Sequence, residues 1–333
     1  MTGTDASILV VTAPVGGPLF AAFGALVLTG IGMVPAASML RWLGLQQIVR
    51  RQGPAAHLRK EGTPMAAGMV FVPAAALAAW AMFPRSGLLL VSLVVMLGHG
   101  VLGFADDYLK VVGRRTEGLK ARYKLVGQLG LAGLLAWVAL HAGLGRALLV
   151  PFSRSRISLS PPMFVVLVMV AVLGTTNGAN FTDGADGLLA STGGVALLAF
   201  GVLAWSGGQG AIAAAALGLV GALLAFLRWN WHPAQVFMGD TGSMAIGACL
   251  AAVAVCTGTL LYLPIIGLLF LLEVLSVIAQ VFWFRRTGKR LLRMAPLHHH
   301  LELGGWREGR LVLRLLAFSG ACAVVGMAAF WVR

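Results

Sequence analysis

Long apolar stretches separated by short polar segments organise this chain. Ten apolar runs are visible, at roughly 18–40, 65–84, 87–105, 125–145, 162–181, 188–205, 210–227, 241–258, 259–284 and 311–332. About 20 residues rising about 1.5 Å each span a hydrocarbon layer of about 30 Å, so each run predicts a membrane-crossing helix. The ninth run exceeds a span and is expected to tilt or kink near Pro264. The Ser- and Pro-rich connection from Arg146 to Pro162 is expected to carry a small hairpin. The predicted architecture is an all-α integral membrane protein of about ten transmembrane helices, forming one polytopic domain over residues 1–333.

Composition agrees with that pattern. The chain is 59% hydrophobic and 11% charged, with a mean hydropathy of +0.89. A soluble fold would need more polar surface, so the soluble classes are excluded. The lipid bilayer is an expected partner; nucleic acid is not.

Net charge is +14, and the bases are unevenly placed. Loops near 41–62, 106–124, 228–240 and 285–310 carry five, six, one and seven Lys and Arg, 19 of the chain's 25. Such residues stay preferentially in the cytoplasm, which predicts both termini outside, Ser155 outside and Thr116 inside. No Lys or Arg precedes Arg41, so the first run is expected to remain as a helix instead of being cleaved as a signal. Cys249, Cys256 and Cys322 lie singly in apolar runs, without metal-ligand spacing, and are expected to pack.

Five of the six aspartates fall in three short polar segments at run ends. Asp106 and Asp107 close the third run, with Lys110 one helical turn on. Adjacent carboxylates crowd negative charge and recruit a cation or a proton. The second segment, Asn177 to Gly187, holds Asn177, Asn180, Asp183 and Asp186 among glycines that permit tight turns beside a ligand. The third is Phe237-Met238-Gly239-Asp240-Thr241-Gly242-Ser243. Its glycines let backbone N–H groups approach phosphate, and its carboxylate suits a hard metal. A fourth polar element, Pro296-Leu297-His298-His299-His300-Leu301-Glu302, lies in a basic loop over 285–310 that could grip a polyanion or contact anionic lipid. Glu273 alone lies deep in a run and is expected to be a packed, hydrogen-bonded residue.

Together these segments resemble the polyprenyl-phosphate N-acetylhexosamine-1-phosphate transferases, ten-helix enzymes with a cytoplasmic active site. Met294 to Glu302, with Gly305-Trp306 after it, looks like the phospho-N-acetylmuramoyl-pentapeptide transferase branch, and the likeness covers about residues 57–310. The family's usual Gly-Thr-Pro-Thr-Met-Gly-Gly before helix 2 reads Gly62-Thr63-Pro64-Met65-Ala66-Ala67-Gly68 here, which leaves the role of the missing Thr and Gly open.

The resemblance implies a bacterial inner-membrane enzyme. Its reaction would be Mg²⁺-dependent transfer of phospho-N-acetylmuramoyl-pentapeptide from the UDP conjugate to undecaprenyl phosphate, giving lipid I and UMP. It implies Asp240 as the Mg²⁺ ligand and Asp106 and Asp107 as catalytic groups facing lipid phosphate and metal. Lys60, Thr63, Lys110, Asn177, Asn180, Asp183, Asp186 and Gly239 would bind substrate, and Phe237 would stack on uracil. His298, His299 and His300 would contact the sugar phosphate or order the loop, His299 being counted as catalytic. A phosphate monoester with a second pKa near 6 is already largely dianionic at pH 7, which favours direct attack over an aspartyl intermediate. A homodimer is an allowed assembly. Two alternatives remain at this stage: a sibling that moves N-acetylglucosamine-1-phosphate, and a cation-coupled transporter, which would need acids within broken helices.

Overall fold

The computed structural model describes residues 16–47, 60–113, 118–144 and 147–332. Thr116 and Arg146, used above for orientation and for the hairpin, lie outside them, as do Arg50, Arg51, Arg59, Arg114, Arg115 and Arg333.

The elements run in order α1 (Gly17–Trp42), α2 (Gly68–Met82), α3 (Gly87–Val112), α4 (Ala121–His141), β1 (Ala147–Leu149), β2 (Arg156–Ser158), α5 (Pro161–Thr182) and α6 (Leu188–Ser206). They continue with α7 (Gly210–Asn230), α8 (Gly239–Thr257), α9 (Leu263–Ile266), α10 (Leu268–Thr287), α11 (Leu297–Glu302) and α12 (Glu308–Trp331). Among the described residues nine helices are long and apolar enough to cross a membrane, and α2, with 15 residues, is a shorter apolar tenth.

Several of the ten runs depart from their predicted bounds, α4 by four residues at each end, and three of the departures have a visible local reason. The run at 65–84 begins its helix late because its first residues pair with the chain before α8. The Phe237 N–H donates to the Pro64 carbonyl, and the Ala67 and Gly68 N–H groups donate to Phe237 and Met238. Conversely α3 continues past residue 105 to Val112, with Asp106 and Asp107 turned inward and buried. The ninth run does break, though not at Pro264. Pro264 sits in the first turn of α9, where a missing N–H costs nothing. The interruption falls at Gly267, between α9 and α10.

Helix α8 is the central post. Its span is 94% buried, against 17% for α10, which stands at the periphery. Small residues line α8 from Gly239 to Cys256 and let α3, α5 and α7 pack closely around it. Nineteen residues make α8 about 28 Å long. At its far end the Leu149 N–H donates to the Gly258 carbonyl, which docks the predicted hairpin, β1 antiparallel to β2 with Leu148 opposite Ile157. Asp240 stands at the near end, so the hairpin and the aspartates lie at opposite ends of the bundle. All three cysteines are buried and free, Cys256 meeting the Ser92 hydroxyl.

Candidate functional site

The N-terminus of α8 leaves N–H groups without helical partners. Asp107, at the end of α3, supplies them. One of its oxygens accepts the Asp240 N–H at 3.0 Å; the other accepts the Thr241 N–H at 3.0 Å and the Thr241 hydroxyl at 2.7 Å. A carboxylate at a helix N-terminus also opposes the helix dipole. Gly239 makes this approach possible, because it holds φ +71° and a Cβ there would collide with the Asp107 carboxylate.

Once α8 is fixed in this way, Asp240 faces a cluster of charge. Its Oδ1 accepts the Asn180 amide at 2.9 Å, and its Oδ2 lies 2.8 Å from Lys124 Nζ and 3.3 Å from Lys110 Nζ. Asp106 pairs with Lys110 at 2.6 Å and accepts the Leu119 N–H at 2.9 Å. Asp106, Asp107 and Asp240 offer carboxylate oxygens all within 4.8 Å of one another. Asn180 also reaches the Ser243 hydroxyl at 2.9 Å, whereas Asn177 turns towards Gln128 at 3.3 Å, outside the carboxylate cluster.

A second cluster adjoins the first. Lys60 Nζ lies 2.7 Å from Asp186 and 2.6 Å from Glu308. Asp186 also accepts the Ala234 N–H at 2.9 Å and meets His232 Nδ1 at 3.1 Å. Burial alone would lower the Lys60 pKa, but the charges of Glu308 and Asp186 outweigh it and raise it above the ordinary lysine value. Burial alone would raise Asp186; Lys60, the Ala234 N–H and His232 hold it below the carboxylate range instead. Asp183 has no such compensation. Burial first, then the charges of Asp240 and Asp107, push its pKa well above the usual value, with Lys60 only partly opposing.

Phe237 stands between the clusters. Its backbone is fixed by the pairing with Pro64 and Ala67, and its half-buried ring lies 5.8 Å from Lys60 Nζ. That pairing uses main-chain atoms only, so it tolerates the Met65-Ala66-Ala67 departure noted in the sequence. Ala66 does adopt φ +70°, a region that costs a Cβ-bearing residue about 1–2 kcal/mol. Thr63 belongs to the same stretch, its carbonyl accepting the Gln47 N–H.

The three histidines are splayed by α11 towards three partners. His298 is fully buried: its N–H donates to Glu273 at 3.2 Å, its Nδ1 lies 3.3 Å from the same carboxylate, and its Nε2 rests against Gly184. A side chain at Gly184 would strike that ring. His299 meets Glu302 at 3.2 Å, and His300 Nδ1 accepts the Arg293 N–H at 3.1 Å. Glu273 is therefore the packed, hydrogen-bonded group expected, and it holds the histidine segment against the loop that carries Asp183 and Asp186.

Lys124, His232 and Glu308 were missed in the sequence. Lys124 was counted only as one more loop base, and Glu308 follows the histidine motif without spacing that marks it.

The profile of glycosyl transferase family 4 matches residues 88–258, the stretch that holds all three aspartate-bearing segments. A phospho-N-acetylmuramoyl-pentapeptide-transferase of Symbiobacterium thermophilum is 45% identical over 314 residues, covering 92% of each chain. The chain belongs to this transferase family. Membership holds across further relatives: the same-named proteins of Moorella thermoacetica, 45% identical over 88% of this chain and 92% of its own, and of Shouchella clausii, 42% identical over 93% and 95%. The family assignment makes the chain a multi-pass transferase of a bacterial membrane, and its polar clusters are the place to look for the chemistry.

Proposed function

We propose that the chain transfers phospho-N-acetylmuramoyl-pentapeptide from its UDP conjugate to undecaprenyl phosphate at the cytoplasmic face of the inner membrane, forming lipid I and releasing UMP. Beyond family membership, the observation that carries this reading is the convergence of three carboxylates and two lysines on the N-terminus of α8, beside a half-buried aromatic ring and a third lysine. Phosphoryl transfer is catalysed mainly by positioning and by neutralising charge, and this arrangement supplies both.

Lys60, Phe237 and Asp186 form the nucleotide end: the ring stacks on uracil, while Asp186 accepts and Lys60 donates hydrogen bonds. Lys110 and Lys124 approach the diphosphate and balance charge as it grows in the transition state. Asp240 is the most exposed of the three clustered carboxylates, at 17% against 6% and 0% for Asp106 and Asp107, and it would hold the metal together with Asp106. An all-oxygen donor set fits a hard divalent ion such as Mg²⁺. When bound, such an ion withdraws charge from the diphosphate and eases departure of UMP.

Asp107 has both oxygens committed to α8, which makes it a poor nucleophile and a good anchor. Direct attack by the lipid phosphate on the donor is therefore the favoured route. His298, buried between Glu273 and Gly184, orders the loop, and His299 and His300, which are partly exposed, are the ones placed to reach the sugar phosphate. The transporter alternative loses its main support, because Glu273, the one acid deep within a membrane-spanning helix among the described residues, is engaged by His298.

The test is an assay of purified protein with UDP-muramoyl-pentapeptide, undecaprenyl phosphate and Mg²⁺. Release of UMP together with a new lipid product is expected. A folded preparation that yields neither refutes the reading.

A further inference from the structure

Asp186, His232 and Glu308 bring ligand atoms within 4.8 Å of one another, a grouping that has the shape of a cation site. The cation already there is the ammonium of Lys60, held at 2.7 Å by Asp186 and 2.6 Å by Glu308. Glu308 does more than complete the pair. The same oxygen that meets Lys60 accepts the Asp186 N–H at 2.8 Å, and its other oxygen lies 3.6 Å from His232 Nδ1. One carboxylate in the first turn of α12 thus ties the segment before α2, the turn between α5 and α6, and the chain leading to α8. Its side chain is 10% exposed, so little water competes for these contacts.

We infer that Glu308 is a positioning residue for the nucleotide end of the site: it fixes the Lys60 ammonium beside Phe237 and the Asp186 turn below it, without itself meeting the reacting atoms. The inference rests on the nucleotide reading proposed above. Without the Glu308 charge, Lys60 keeps only Asp186 as an ion-pair partner and stands within the field of Asp183. An ammonium free to swing between two acids is no longer pre-organised for the base and ribose.

Glu308→Gln separates charge from shape, because an amide oxygen still accepts the Asp186 N–H while the ion pair to Lys60 is lost. The expected result is UMP affinity by calorimetry reduced at least tenfold and KM for the UDP donor raised in parallel. kcat at saturating donor should stay within threefold, and KM for undecaprenyl phosphate should not change. Glu308→Asp, which keeps the charge on a shorter arm, should fall between the two proteins. In combination with Lys60→Met, Glu308→Gln should add less than twofold, since it acts through Lys60.

Three results overturn the inference: unaltered UMP affinity in folded Glu308→Gln, full additivity with Lys60→Met, or a fall of kcat and melting temperature together with a rise of both KM values. The last would mark a merely structural role. Wild-type protein that binds no UMP and makes no lipid product would instead overturn the functional reading beneath it, so the two failures are distinct.

Discussion

Replacing Asp240 by Asn changes one charge and almost no volume. The amide keeps an oxygen for the Asn180 N–H, now accepted at 2.9 Å, but turns N–H groups towards Lys124 and Lys110, which stand 2.8 and 3.3 Å from the native carboxylate. Lys110 retains Asp106 at 2.6 Å, whereas Lys124 has no other ion pair among the described residues. Two unit charges 4 Å apart interact by about 4 kcal/mol at an effective dielectric near 20, so the unbalanced ammonium is a substantial perturbation. Partial exposure of both side chains lets water and counter-ions absorb much of it, leaving a folding cost of about 1 kcal/mol. Catalysis cannot be rescued in the same way. Removing one preorganised charge-stabilising group typically costs about 2.7–4 kcal/mol, a factor of roughly 10²–10³ in kcat. The expected outcome is UMP release slowed at least 10²-fold at saturating substrates, with UMP binding weakened less than tenfold and the melting temperature lowered by only a few degrees. If folded Asp240→Asn turns over within threefold of wild type, Asp240 is not at the reaction centre.

Two other predictions come from single residues. Asp183 has a raised pKa in the folded state, so its ionised form weakens the fold at every pH above the unfolded value of about 3.9, and the penalty fades as pH falls towards it. In chelator, Asp183→Asn should therefore raise the melting temperature at pH 7–8 by about 2 °C, the shift that roughly 1 kcal/mol produces, and by nothing near pH 4, while activity assayed separately with Mg²⁺ drops at least tenfold; a lower melting temperature at pH 8 would refute the electrostatic account. For orientation, the native cysteines are buried, so engineered thiols at the exposed Ser155 and Lys289 can be read without background. Ser155→Cys should react with an impermeant maleimide on intact cells and Lys289→Cys only after permeabilisation; the reverse pattern would place the site outside.

Much of this molecule was legible in the sequence because its strongest signal, hydrophobic length, is also its main structural constraint. Every apolar run became helical, the ninth as two helices, and the late start of α2 and the long end of α3 were decided by polar contacts that periodicity does not carry. The late start of α2 follows from pairing with Phe237, some 170 residues away in the chain. The break at Gly267 instead of Pro264 follows from position within the helix: proline is harmless in a first turn and glycine is not committed to any. Within the site, residues that sit in dense polar segments were found. Lys124 and Glu308 were not, because each lies outside those segments among ordinary loop charges and takes its meaning from distant partners, Asp240 and Lys60 standing 116 and 248 positions away. Asn177 shows that neighbours in sequence need not share partners: Asn180 meets Asp240, whereas the Asn177 amide donates to Gln128.

The balance of charge across the two clusters has one further consequence. Six carboxylates, from Asp106, Asp107, Asp183, Asp186, Asp240 and Glu308, face three ammonium groups, from Lys60, Lys110 and Lys124. A diphosphate-bearing donor would meet net negative potential there, although the loops outside are strongly basic. Basic loops raise the local concentration of an anion but do not neutralise a site that repels it at contact. A divalent cation held by Asp240 and Asp106 would remove most of that excess. Binding of the charged part of the donor should therefore depend on the cation, whereas binding of an uncharged uridine ligand, which on the proposed reading would meet Phe237, Lys60 and Asp186, should not. Calorimetry in chelator and in Mg²⁺ measures the difference: affinity for the UDP donor is expected to fall at least tenfold on chelation, and affinity for uridine by less than twofold. Equal losses for both ligands would mean that the cation organises the whole pocket. Equal retention would mean that the lysines alone suffice for the diphosphate, and that the excess of carboxylates serves the fold of α8 and not the handling of charge.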